Sequence, residues 1–185
     1  MSEIALADRP YRPCVGITLM NLEGRFIGPH GEIEFHIVTG TIGKVDIVAI
    51  IIVSLIQGGI DKGETAIEAA FRELEEETGT AKAELLLEMA DWVDYDLPPG
   101  LADKVWKGRY RGQKQRWFCL LFTGQDSDID INTAHPEFTE WRWMDLQDAV
   151  QEVIPFKRDI YRHVADAFAQ TALNLRNGDV PHVRP

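Results

Sequence analysis

Residues 72–79 read RELEEETG, with four glutamates in five positions. The stretch closes what reads as an amphipathic helix beginning near Glu64. Ile67, Ala70, Phe71 and Leu74 recur at i, i+3, i+4 and i+7, and Gly79 suits a helix C-terminal cap. At about 100° per residue, with Ile67 at zero, Glu73, Glu76 and Glu77 fall at roughly 240°, 180° and 280°. They share one flank, whereas Glu68 and Glu75 lie on the other and read as merely solvated. Like charges at i, i+4 and a carboxylate-rich last turn cost roughly 1–2 kcal/mol together. The trio is therefore either an acidic helix end in water or a site for a hard divalent cation. Ala66 and Ala69 share its flank, which predicts room for a ligand there.

The rest of the chain reads as one α/β domain over residues 1–176 with a frayed tail, 177–185. Strands are expected at 15–20, 25–27, 45–56, 84–89, 92–96, 117–123 and 138–144, the third buried on both faces. Pro98-Pro99-Gly100 reads as a turn, and residues 126–136 as a polar loop. Asp145 is placed to cap a short helix to Val153, and a longer helix after Pro155 turns Ile160, Val164 and Phe168 inward. The net charge of −11 argues against non-specific nucleic-acid binding through bulk charge, so an anionic substrate needs a local basic patch or metal ions. Cys14 and Cys119 form neither a disulfide framework nor a zinc spacing. With no signal-peptide pattern at the N-terminus and no apolar run long enough to span a bilayer, the expectation is a cytoplasmic protein away from membranes. His30, His36, His135, His163 and His182 show no ligand spacing, and nothing in the sequence speaks to oligomeric state.

Gly58, Glu64, Arg72-Glu73, Leu74, Glu76-Glu77 and Gly79 fit G-x5-E-x7-R-E-U-x-E-E-x-G-U, where U is aliphatic and Thr80 is the single departure. This resembles the box of the Nudix hydrolases. The resemblance implies the Nudix fold, an α/β/α sandwich with a mixed central sheet and a loop–helix–loop catalytic motif carrying Mg²⁺ or Mn²⁺. It implies that Glu76 and Glu77 are metal ligands and that Glu73 is a ligand or the base that activates water. Gly58 would lend a carbonyl to the metal. Arg72 and Glu64 would pair to hold the loop, with Gly79 structural. Metal ions would bridge acidic protein and polyphosphate, polarise phosphoryl oxygens and lower the pKa of the attacking water.

Further segments narrow the resemblance to the bacterial RNA pyrophosphohydrolases. These are YRPCVG from Tyr11, QGGI from Gln57, YRGQKQRW from Tyr110, PEF with WRW from Pro136, and PFKR from Pro155. The implied reaction removes pyrophosphate from 5′-triphosphorylated RNA, exposing it to decay. Dinucleoside polyphosphate hydrolysis is the nearest rival. A nucleotide-sensing module without turnover is a rival of another class, and the intact trio argues against it. Lys104, Lys107, Arg109, Arg111, Lys114 and Arg116 form a basic island with no acid between them, interleaved with Trp106, Tyr110 and Trp117. Phosphate contacts beside aromatic platforms suit single-stranded RNA or a nucleobase. A basic loop with core aromatics is the alternative reading. Tyr110, Arg111, Lys114 and Gln115 are thus candidate substrate contacts. The resemblance adds Arg12 as a phosphate contact and Glu137 as a metal-binding or catalytic glutamate.

Residues 25–56 depart from this pattern. VSLIQGG stands where W-Q-x-P-Q-G-G is usual, and residues 26–43 hold no Lys or Arg. That removes one expected phosphate contact and changes the pocket floor. Divergence toward a more apolar pocket and a local error in the sequence, such as a misread frame that closes before Gln57, both account for it. Tryptic mass mapping separates them: recovery of VDIVAIIIVSLIQGGIDK removes the error, and different peptides between recovered flanks establish it.

Overall fold

The computed structural model describes residues 5–29, 55–134, 136 and 140–180. Two long strands form the spine, β1 (Tyr11–Met20) and a parallel partner at Gly112–Phe122, in register from Tyr11 opposite Gly112 to Met20 opposite Leu121. A parallel pair requires a crossover. Here it contains β2 (Phe26–Pro29), β3 (Ile56–Gly59), helix α1 (Ala66–Thr78), β4 (Ala83–Glu88), β5 (Val93–Asp96) and the one-turn helix α2 (Pro99–Ala102). The second spine strand is then β6, followed by β7 (Trp141–Met144), α3 (Leu146–Glu152) and α4 (Arg158–Arg176).

Each spine strand serves two neighbours along its outer edge. β3 pairs antiparallel with β1 over Cys14–Ile17, and β2 takes the same edge at Met20. β5 pairs with β6 from Gly112 to Gln115, and β4 takes over from Phe118 to Phe122. β7 closes the far side on β2. The sheet is therefore mixed, as the sequence predicts.

Alternation along the spine divides the apolar side chains between two cores. Val15, Ile17, Leu19, Phe118, Leu120 and Phe122 face α1. Trp117, Cys119 and Leu121 join Ile160, Val164 and Phe168 of α4 on the opposite side. The layers are thus helix, sheet, helix, with the inward stripe of α4 as expected. Among the described residues no helix is long and apolar enough to cross a membrane.

Several boundaries differ from the sequence expectation. Leu55 and Ile56 are the described end of the expected strand over 45–56; its remainder lies outside the described residues. Pro98-Pro99-Gly100 leads into α2 rather than a simple turn. Residues 126–128 of the polar loop form a 3₁₀ turn. β6 begins five residues before Trp117, because Gly112 admits the carbonyl of Tyr95 where a Cβ would stand. Asp145 makes no cap hydrogen bond to α3 and instead meets Arg176 of α4.

Helix α1 is fixed at both ends. Thr65 and Glu68 form a reciprocal capping box, with Thr65 N donating to Glu68 Oε2 at 2.8 Å. Glu68, read from sequence as merely solvated, therefore has a defined role. Gly79 ends the helix at φ 68°, its N–H donating to the Glu75 carbonyl. The end of β5 is fastened by Arg111, which donates to both Asp96 oxygens at 2.7 Å and to the Ala7 carbonyl at 3.0 Å.

Gly79→Ala is expected to cost about 1–2 kcal/mol, since an L side chain resists the left-handed region and its Cβ would meet the Asp130 carbonyl oxygen at 2.8 Å. Thr65→Ala is expected to cost about 1 kcal/mol. Urea unfolding midpoints check both. The Arg111 hydrogen bonds hold the Asp96 carboxyl below the usual range. This contribution is present above the unfolded carboxylate pKa of about 3.9 and is lost as pH falls through the lowered folded value. The melting-temperature gap between wild type and Asp96→Asn should be modest at neutral pH, because the pair is open to solvent, and should close below about pH 4.

Candidate active site

The buried face of α1 is rotated from the expected apolar stripe. Ala69, Ala70 and Leu74 are fully enclosed, whereas Ile67 and Phe71 are only partly covered. Ala69 faces the core rather than an open ligand space, which corrects the reading of the small residues. Their physical role is to let the helix lie close to the sheet. That close packing carries the glutamate flank against β3. A Cβ on Gly58 would overlap the Glu73 carboxylate, so only glycine leaves the slot that Glu73 occupies.

The three glutamates consequently stand at graded depth. Glu77 is 3% exposed, and its Oε1 accepts from the Gln57 backbone N–H at 3.2 Å. The Glu73 side chain is 14% exposed and that of Glu76 is 58% exposed. All three line one cavity of about 520 Å³ with Arg72, Glu75, Thr133 and Ala134. Burial pushes the Glu73 carboxyl above the ordinary carboxylate range, against the opposing pull of Arg72.

Arg72 is the hub of the site. Its Nε and Nη2 donate to the two Glu64 oxygens at 2.8 and 3.0 Å, the fork-to-fork pairing of guanidinium and carboxylate. Nη2 also donates to the Gly59 carbonyl at 2.8 Å, and Nη1 to Glu73 Oε1 at 2.7 Å and Glu76 Oε2 at 3.2 Å. The Arg72 pairing holds the Glu64 carboxyl below its ordinary range. Helix, loop and strand are thereby locked through one side chain.

Among the described residues no three carboxylate, imidazole or thiol groups form a compact metal-ligating cluster. Arg72 takes one oxygen from each of Glu73 and Glu76. The donor chemistry nevertheless suits a hard cation: three carboxylates of graded depth on one cavity, beside the β3 backbone at Gly58. Glu137 lies outside the described residues.

The other candidates divide. Arg12 lies next to this site, its guanidinium filling the space a Cβ on Gly59 would occupy and standing 5.2 Å from the Trp106 ring centre. Tyr110 packs edge-on to Trp106, with ring centres 6.0 Å apart. Arg111 is engaged by Asp96 and covers the Tyr11 ring, and Lys114 lies 5.9 Å over Trp92. Gln115 is fully buried. It donates to Gln57 Oε1 at 2.9 Å and accepts from Trp117 Nε1 at 3.1 Å.

That network contains residues to which the sequence reading gave no role. Gln57 Oε1 also accepts from the buried Lys157 Nζ at 3.0 Å, and Gln57 Nε2 donates to the Tyr161 hydroxyl at 3.3 Å. Since the Gln57 amide holds Glu77, the interior network braces the deepest glutamate. The signal was Gln57 beside the paired glycines and Lys157 within PFKR, but sequence spacing does not bring residues 57, 115 and 157 together.

The NUDIX domain family matches residues 41–164. An RNA pyrophosphohydrolase of Roseobacter denitrificans is 46% identical over 91% of this chain and 98% of its own length. One from Bradyrhizobium is 47% identical over 89% and 96%. Among solved structures, the dihydroneopterin triphosphate pyrophosphohydrolase of E. coli superposes with a TM-score of 0.59 at 16% identity, covering 86% of this chain and 99% of that one. A C. elegans Ap4A hydrolase gives 0.54 at 17%, over 86% and 98%. These two share the fold. With the family pattern covering two thirds of the chain, from before β3 into the first turns of α4, and with relatives near half identity over almost the whole length, the chain belongs to the NUDIX domain family.

Proposed function

We propose that the chain is a metal-dependent pyrophosphohydrolase acting on the 5′ end of triphosphorylated RNA, leaving a 5′-monophosphate and promoting decay of the RNA. The observation that carries the reading is the Glu73 carboxylate seated over Gly58, on one cavity with Glu76 and Glu77. The names of relatives that cover nearly the whole chain support RNA as substrate.

Glu76, Glu77 and the Gly58 carbonyl, with Glu137, would hold Mg²⁺ or Mn²⁺. Such an ion, when bound, neutralises phosphate charge and lowers the pKa of water. The chain's own groups do the positioning. Glu73 keeps Oε1 on Arg72, which holds its carboxylate on the cavity to accept the proton of a water directed at the α-phosphorus. The water oxygen bonds to that phosphorus as the α–β anhydride bond breaks, and the electron pair leaves on pyrophosphate. Arg12, beside Gly59, meets a phosphate oxygen with its guanidinium fork. Arg72 and Gln57 keep Glu73 and Glu77 in place, so little rearrangement remains for the reaction itself.

Chromatography of products from 5′-triphosphorylated RNA should show pyrophosphate and 5′-monophosphate RNA, formed with Mg²⁺ or Mn²⁺ and suppressed by chelator. Preferential conversion of diadenosine tetraphosphate to ATP and AMP would overturn the RNA assignment. Glu73→Gln is expected to lower kcat by about 10²–10⁴-fold with folding intact, and Glu77→Gln to abolish turnover. Gly58→Ala should lower kcat at least about tenfold by evicting Glu73 from its slot, since misplaced catalytic groups forfeit much of their effect.

A further inference from the structure

A second cavity, of about 670 Å³, opens between Arg9–Pro10 and the segment from Asp103 to Tyr110. Arg9 is matched there by Asp103 at 2.8 Å. Lys107 and Arg109, both exposed, have no carboxylate partner among the described residues. Two solvent-facing cations without counter-charge in a chain of net charge −11 mark a local anion site.

The segment that carries them is conformationally unusual. Trp106 and Lys107 adopt φ of 48° and 60°, and Gly108 follows at 68°. Consecutive non-glycine residues in the left-handed region are held only where surroundings enforce them, and such strain concentrates at ligand clamps. Here the turn is anchored by Val105 and Trp106 against the core. It sends Lys107 into the cavity and leaves Trp106 facing Arg12.

A continuous series of contacts links this cavity to the first one. The Glu73 carboxylate fills the slot over Gly58, and the Arg12 guanidinium fills the slot over the next residue, Gly59. Arg12 is 5.2 Å from the Trp106 ring centre, and Trp106 is 6.0 Å from that of Tyr110. Tyr110 lines the basic cavity, with Arg109 5.6 Å over its ring. Two rings flanked by two guanidinium groups line this path. Such a row suits a single strand whose phosphates meet cations while its bases meet π faces.

We propose that the Lys107–Arg109–Tyr110 cavity binds the body of the single-stranded RNA downstream of its 5′ end, with the strand running past Arg12 and Trp106. The inference rests on the RNA reading of the first site and extends it. The cavity shares no lining residue with the glutamate cavity, so on this reading it adds contacts for the nucleotides of a longer RNA that follow the triphosphate.

The test is fluorescence anisotropy with a labelled single-stranded RNA of about eight nucleotides ending in a 5′-hydroxyl, which leaves the triphosphate site out of the measurement. Lys107→Ala/Arg109→Ala should weaken binding about tenfold near 0.1 M salt. It should also flatten the dependence of log affinity on log salt by about 1.4, the share of two phosphate contacts. Arg109→Gln alone, outside the left-handed turn, should move both in the same direction. Turnover of a 5′-triphosphorylated dinucleotide should be unchanged in the double variant, while KM for longer triphosphorylated RNA rises. No binding by the wild type, or equal affinity and salt slope in wild type and variant, would overturn the proposal. So would a parallel loss on the dinucleotide, which would assign the cations to the triphosphate. Variant-sensitive RNA binding without hydrolysis of triphosphorylated RNA would refute the activity reading and leave this site standing.

Discussion

The Arg72 guanidinium joins three pieces of chain that sequence separates: the loop at Glu64, the strand end at Gly59 and the acidic flank of α1. A guanidinium can do this because its donors are fixed in one plane and its charge is permanent. Lysine would supply the charge without the fork. The same cation offsets the repulsion and helix-end penalty that crowd the glutamate trio. Without it, Glu73 would be a half-buried carboxylate facing two others, and the loop before the helix would lose its tie to the sheet.

The close approach of α1 to β3 is the other half of this arrangement. Ala69 and Ala70 are enclosed, and larger side chains there would lift the helix from the sheet. Gly58 removes the last obstacle on the strand side. The outcome is a gradient of burial across Glu77, Glu73 and Glu76, so chemically identical side chains meet different environments. Position along that gradient sets what each one meets: the Gln57 backbone N–H at Glu77, the Arg72 guanidinium at Glu73, and open solvent at Glu76.

The box was legible because its residues lie within one helix and its flanking loops, where 3.6-residue periodicity and cap chemistry reduce to local rules. The mixed sheet and the inward stripe of α4 followed from alternation and periodicity in the same way. The Gln57–Gln115–Lys157–Tyr161 network was not legible, because its members come from β3, β6 and the start of α4 and meet only through the β1–β6 register and the packing of α4. The orientation of α1 was misread by a fraction of a turn. Apolar size pointed to Ile67 and Phe71, whereas proximity to the strand selected Ala69 and Glu77. The basic island looked uniform in sequence, but the fold divides it. Arg111 is consumed by Asp96 and Arg116 by Glu88, while Lys107 and Arg109 stay without acidic partners among the described residues.

Strand β1 gives one edge to two partners in succession, β3 up to Ile17 and β2 at Met20. β2 begins opposite Met20 and β3 begins opposite Ile17, neighbouring stations on the same strand. Whatever length of polypeptide joins those two points, its ends are moored by hydrogen bonds that do not depend on what lies between. Lengthening a flexible connection between two fixed points is cheap in free energy, about 0.6 kcal/mol per doubling. The β1 edge thus holds the two ends of that connection beside the glutamates, so a change of sequence between them need not disturb the seat of α1 on the sheet.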